Sequence, residues 1–76
     1  MEEHFIAQLK EVLEIENREL NLSDIFRDYP EWNSLNFLSL ISMIDEEYDV
    51  IIEGKEFKTL QTVGDIISAI EKKRNV

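Results

Sequence analysis

An all-α fold, a small bundle of three main helices plus one short helix, is what this sequence predicts. Three separate segments repeat apolar residues at the 3.6-residue period of one helical face. Two of them open on a capping residue, Asn33 or Thr62. The single strand-like run, Val50-Ile51-Ile52, has no second such run to pair with, and a lone strand leaves its ladder bonds unmade. With 76 residues the chain holds one domain, residues 1–76, and one small core.

The first helix is expected from Glu2 to about Ile15. Phe5, Ile6, Leu9, Val12 and Leu13 share one face there, and Lys10, Glu11 and Glu14 take the other. A long connection follows to Asn33, and loops of this length are functional or packed locally. Leu20, Leu22, Ile25, Phe26 and Tyr29 are expected to anchor it, with a helical turn at Ser23 to Phe26 capped by Ser23. Pro30 stops any helix there, because the residue before proline avoids the helical region. The second helix is expected from Ser34 to about Tyr48, with Phe37, Leu40, Ile41, Ile44 and Tyr48 on its buried stripe. Asn33 is its N-cap, and Trp32 and Phe37 have the spacing of a hydrophobic staple. Leu35, Ser39, Ser42 and Glu46 fall on the opposite side, Met43 at its edge.

Val50 to Ile52 then reads as an extended connector with one or two buried residues. Gly54 permits a turn, and a short helix over Lys55 to Leu60 would bury Phe57 and Leu60. Thr62 caps the last helix, with Asp65 three residues later completing a capping box. Val63, Ile66, Ile67 and Ile70 form its apolar face, and Lys72, Lys73 and Arg74 suit the negative end of its dipole.

Seventeen acidic residues against eight basic give a net charge of −9. Such a chain repels nucleic acid and anionic membranes and is drawn to basic protein surfaces. It has no cysteine, so disulfides and thiolate metal sites are unavailable. Catalysis of its own is not expected. The one histidine, His4, has no triad partners nearby, and no glycine-rich phosphate loop exists. Asp45, Glu46, Glu47 and Asp49 lack the alternating ligands and central glycine of a calcium loop. No apolar run approaches a membrane span, and Met1-Glu2-Glu3 has the wrong charge for a signal peptide. A soluble, cytoplasmic monomer is the expectation.

Three blocks of the chain resemble the acyl carrier protein family. They are Asn33-Ser34-Leu35-Asn36, then Asp45-Glu46-Glu47-Tyr48-Asp49-Val50, then Thr62-Val63-Gly64-Asp65. In that family an Asp-Ser-Leu-Asp motif opens the second helix, an acidic run and an aromatic end it, and a Thr-Val-Gly-Asp turn starts the last. The resemblance implies a carrier bundle without enzymatic activity. It implies 4′-phosphopantetheine on Ser34, transferred from coenzyme A by a carrier-protein synthase, a phosphopantetheinyl transferase using magnesium. Acyl or aminoacyl groups would then ride as thioesters, exchanged with loading and acyl-transfer enzymes that have basic surfaces.

The same resemblance gives partner-recognition roles to Asn33, Leu35, Asn36, Ser39, Asp45, Glu46 and Glu47. It gives an acyl pocket to Phe37, Leu38, Ile41, Ile44, Leu60 and Ile66. Asn33 stands where the family has aspartate, and Asn36 and Ser39 where acidic residues are common. Asparagine caps a helix as well as aspartate does, so these departures bear on the synthase and not on the fold. Phe37 and Ile66 are bulkier than the residues often found at those positions, and tight interiors leave less room for a guest. A short-chain, amino-acid or polar cargo is therefore expected. The competing expectation is an acidic interaction module with a carrier-like fold that is never phosphopantetheinylated.

Overall fold

The computed structural model describes residues 1–74. It contains four α-helices in the order α1 (Glu2–Leu13), α2 (Ser34–Tyr48), α3 (Gly54–Phe57) and α4 (Val63–Arg74). A single 3-10 turn, Phe26–Asp28, interrupts the long connection between α1 and α2. This is the expected small helical bundle of three main helices and one short one. The 15-residue α2 packs against both α1 and α4.

The core is where the apolar stripes converge. Phe5, Leu9 and Leu13 of α1 meet Leu40, Ile44 and Tyr48 of α2 and Val63, Ile66, Ile67 and Ile70 of α4, all buried. Each such side chain contributes about 1.5–3 kcal/mol when removed from water. α1 ends two residues before Ile15. Glu14 adopts the left-handed conformation (φ 59°), and the amide of Ile15 bonds back to the Lys10 carbonyl at 2.9 Å. This is a Schellman ending, and it turns Ile15 inward, where it is buried. Asp49, with φ 56°, ends α2 in the same left-handed region. The connector after it is extended, with Val50 and Ile52 buried and Ile51 in solvent.

The long connection is held down by main-chain bonds that no side-chain pattern announces. The amides of Val63 and Gly64, in the first turn of α4, donate to the carbonyls of Asp24 and Leu22 at 3.0 and 2.9 Å. Gly64 is glycine for a spatial reason, since a Cβ there would lie 3.2 Å from the Leu22 carbonyl oxygen. Ile25 pairs with Thr62 as an isolated antiparallel bridge. Extended backbone alternates its side chains, so Phe26 turns inward and Ile25 outward. Two expected anchors are thereby corrected: Ile25 and Leu22 are exposed, while Leu20 and Phe26 are buried and Tyr29 is half-buried. Ser23 caps nothing. The turn there is closed by the Asp24 carboxylate, which accepts from the Asn21 amide and the Tyr29 hydroxyl at 2.9 and 2.7 Å.

The short helix starts at Gly54, one residue before the expected boundary, and ends at Phe57, three before it. At its end the Phe57 carbonyl accepts from both the Leu60 amide, in a tighter turn, and the Arg27 side chain. Phe57 is buried and Leu60 half-buried. At α4 the capping box is present in both directions. The Thr62 hydroxyl accepts from the Asp65 amide at 3.0 Å, and the Asp65 carboxylate accepts from the Thr62 and Gln61 amides at 3.0 and 2.9 Å.

Candidate functional site

The N-terminus of α2 is fixed by a chain of contacts that begins far back in the loop. Arg18 donates to both carboxylate oxygens of Glu31 at 2.7 and 2.9 Å. That fork holds the Glu31 carboxyl down at about 2. The Glu31 carbonyl in turn accepts from the Asn36 side-chain amide at 2.8 Å, and the Asn33 side chain accepts from the Asn36 backbone amide at 2.8 Å. Asn33 is thus the expected cap. Asn36 is half-buried and engaged inside the protein, where a carboxylate could not donate to that carbonyl. The Trp32 and Phe37 rings, 6.0 Å apart, form the staple.

Ser34 stands at the first helical position, exposed to solvent. It lies at the rim of a cleft of about 430 Å³ lined by Arg27, Trp32, Asn33, Phe37, Gly54, Phe57 and Lys58. The walls are aromatic. Phe57 lies 5.1 Å from Phe37 and 6.2 Å from Trp32, with the last pair stacked, and Phe26 backs them at 4.9 Å from Trp32. The Arg27 guanidinium lies 4.7 Å from the Phe26 ring centre and donates to the Phe57 carbonyl at 2.9 Å and to the Leu60 carbonyl.

The remaining site residues divide into three groups. Leu35 and Ser39 are exposed on the outer face of α2, with Asp45, Glu46 and Glu47 towards its end. Glu47 also accepts from the Gln8 side-chain amide at 3.1 Å, which ties it to α1. Of the expected pocket residues, Phe37 alone lines the Ser34 cleft; Ile44 and Ile66 are in the sealed core, and Ile41 and Leu60 are half-buried. Leu38 is corrected. It is 60% exposed and lines a shallow depression with Ser39, Ser42, Met43, Glu46 and Glu47 on the outer face of α2. One residue on from Phe37 is a rotation of about 100°, enough to carry Leu38 off the buried stripe.

Arg27 and Lys58 are cleft residues that sequence reading did not single out, and it saw Gly54, Trp32 and Phe57 only as turn, staple and core. The staple spacing was a usable signal for Trp32. Arg27 had none, because its carbonyl partners lie 30 and 33 positions away. Among the described residues, no helix is long and apolar enough to cross a membrane.

Residues 3–70 match the family model described as a phosphopantetheine attachment site. An acyl carrier protein of Exiguobacterium sibiricum is 32% identical over 63 residues, which cover 83% of this chain and 80% of that protein. One from Rhodococcus erythropolis is 29% identical over 75 residues, covering 93% of this chain and 82% of that protein. In fold, the chain is similar to the solution structure of a holo acyl carrier protein from Geobacter metallireducens. The TM-score is 0.82 at 22% identity, over 95% of this chain and 83% of that one.

Proposed function

We propose that Ser34 bears the prosthetic group of this chain, which belongs to the acyl carrier protein family, and that acyl or aminoacyl groups ride there as thioesters between partner enzymes. The group itself is 4′-phosphopantetheine, and it supplies a mobile thiol to a chain without cysteine. The observation that carries the reading is the exposed Ser34 hydroxyl on the first turn of a 15-residue helix, within the matched residues and at the rim of a cleft. The residues present fit a phosphodiester. The unpaired amides and positive dipole end of α2 favour an anion there, and Arg27 and Lys58 line the same cleft. Asn33 and Asn36 keep that first turn wound, so the hydroxyl is presented from a fixed platform. Ser34 needs no base beside it, since a separate carrier-protein synthase activates the hydroxyl.

Partner recognition is assigned to the outer face of α2. Asp45, Glu46 and Glu47 steer basic enzyme surfaces towards Ser34, acting on encounter and fading as salt rises. Leu35 and Ser39, with Asn33 and Asn36 at the helix start, offer the close contacts. The carrier is read as a cytoplasmic monomer whose chemistry is performed by its loading and transfer enzymes. A short, amino-acid or polar cargo is proposed because Leu40, Ile44, Ile66 and Ile70 fill the space between α2 and α4.

Intact mass after incubation with coenzyme A, magnesium and a broad-specificity synthase tests the assignment. A gain of one phosphopantetheine, lost in Ser34→Ala, is the expected result. An unmodified Ser34 with several synthases overturns it.

A further inference from the structure

The outer face of α2 is charged at one end only. From Ser34 to Ile44 the helix carries no charged residue, and Asp45, Glu46 and Glu47 then follow, all exposed. A step of about 100° and about 1.5 Å per residue puts Ser34, Leu35, Leu38, Ser42, Asp45 and Glu46 in one sector, about 120° wide and about 18 Å long. Leu35 and Leu38 stand in that sector 71% and 60% exposed. The opposite sign is supplied at the Ser34 end by other elements. Arg27 and Lys58, both exposed, line the cleft that Ser34 lines, and no carboxylate lines it. Asp28 and Glu53, next in sequence to cleft residues, lie outside its lining. The nearest acid before the serine, Glu31, is paired with Arg18 at 2.7 Å. Among the described residues the other ion pair is Lys73 with Glu56, which leaves Arg27 and Lys58 unpaired. In a chain of net charge −9, the strip thus runs from positive through apolar to negative, in the same sense as the helix dipole.

Resting on the reading of Ser34 given above, we propose that this strip is a docking surface of fixed polarity, and that its occupant is an enzyme surface charged oppositely at its two ends. An acidic patch of the enzyme meets Arg27 and Lys58 beside Ser34. Its apolar centre covers Leu35 and Leu38, and a basic patch meets Asp45 and Glu46 at the far end. A partner that is basic throughout would press like charge onto the unpaired cations at the Ser34 end, and such contacts disfavour wrong partners. Docking in the reverse direction would oppose like charges at both ends. The serine is therefore always delivered to the acidic edge of the enzyme. An apolar centre with a charged rim is also the anatomy of a protein interface. A phosphodiester on Ser34 brings one negative charge against the two cations of the cleft, so loading leaves that end with a positive balance. A second copy of this chain is a poorer occupant. Two antiparallel α2 helices would match their ends, but each copy brings a charge of −9 and the two repel.

A synthetic helical peptide stands in for the enzyme surface, with glutamates at one end, leucines along the middle of one face and lysines at the other end. A spin label on its glutamate end is expected to broaden the amide signals of residues 33–36 and 54–58 of the unmodified chain more than those of 45–49. Moving the label to the lysine end is expected to reverse that pattern. Lys58→Gln is expected to weaken peptide binding by about twofold to fivefold, the range an exposed charge pair contributes. Salt at about 1 M, where screening falls to about 3 Å, is expected to erase the difference between the two labels. Equal broadening at both ends in low salt overturns the polarity, and so does a pattern that ignores which end is labelled. No binding at millimolar peptide, or a Lys58→Gln chain that binds as the parent does, overturns it as well. Shifts of the α2 signals that grow with protein concentration in the absence of peptide would give the face to a second copy and overturn the enzyme as occupant. The spectra use the unmodified chain, so the two readings fail separately. Polarity without the mass gain removes the Ser34 assignment, whereas the mass gain without polarity removes the docking surface alone.

Discussion

Asn36 and Asn33 stand side by side at the start of α2, and exchanging each in turn for aspartate tests what holds that helix start. In Asn36→Asp a carboxylate oxygen replaces the amide that donates to the Glu31 carbonyl at 2.8 Å. The hydrogen bond is lost, and a half-buried acceptor then faces a negative charge, at a cost of about 1–3 kcal/mol. A first-turn carboxylate recovers about 0.3–1 kcal/mol from the helix dipole. The net is a loss of about 1 kcal/mol or somewhat more. For a domain of this size 1 kcal/mol corresponds to about 4–8 °C in melting temperature. Asn33→Asp gives up only a long, exposed donation to the same carbonyl, at 3.5 Å. Its oxygen still accepts from the Asn36 amide at the cap, so stability is expected to stay within about 0.5 kcal/mol. Thermal unfolding followed by circular dichroism at matched pH and salt reads both variants. An Asn36→Asp protein as stable as the parent would refute the clamp. The same loading assay then shows whether the synthase responds to either charge.

Three further outcomes are expected. Glu14→Gly should raise stability by up to about 1 kcal/mol, because glycine occupies the left-handed ending of α1 without steric cost; an unchanged melting temperature would remove that account. Glu31 titrates at about 2 in the folded protein against an ordinary 4.5, because Arg18 bonds its charged form. Its contribution is therefore complete above the unfolded value and lost as pH falls from about 4.5 towards 2, a window in which Asp24 and Asp65, also lowered by hydrogen bonds, act in the same direction. The melting-temperature gap between wild type and Glu31→Gln should close across that window, and a gap independent of pH would exclude the ion pair as its source. Loading the arm with acyl chains of increasing length should stop raising the melting temperature beyond medium chains, whereas a steady rise would show that the core opens for a long guest.

Periodicity made the three main helices and their buried stripes legible, and local hydrogen-bonding rules made both caps legible, because each depends on residues within four positions of one another. Ser34 was found by resemblance, since a serine at a helix start is chemically ordinary. What escaped was everything built by distance. The main-chain bonds from Leu22 and Asp24 to the start of α4 leave no trace in side-chain pattern, which is why Ile25 was expected inside and stands outside. Leu38 was placed in a pocket by family position, while the helical wheel alone would have turned it to solvent. The positive rim of the Ser34 cleft comes from Arg27 in one loop and Lys58 after another, brought together only when Phe57 is buried.

Helix α3 has four residues and no side-chain cap of its own, far too little to stay wound in isolation. Phe57 plugs it into the bundle, and Arg27 moors its final carbonyl from across the molecule. If that mooring is released, one side of the Ser34 cleft can unravel while α1, α2 and α4 keep their own ladders. Amide hydrogens of residues 54–60 would then exchange with solvent well before those of the long helices. The bank of the cleft facing Ser34 is thus expected to yield before the long helices do.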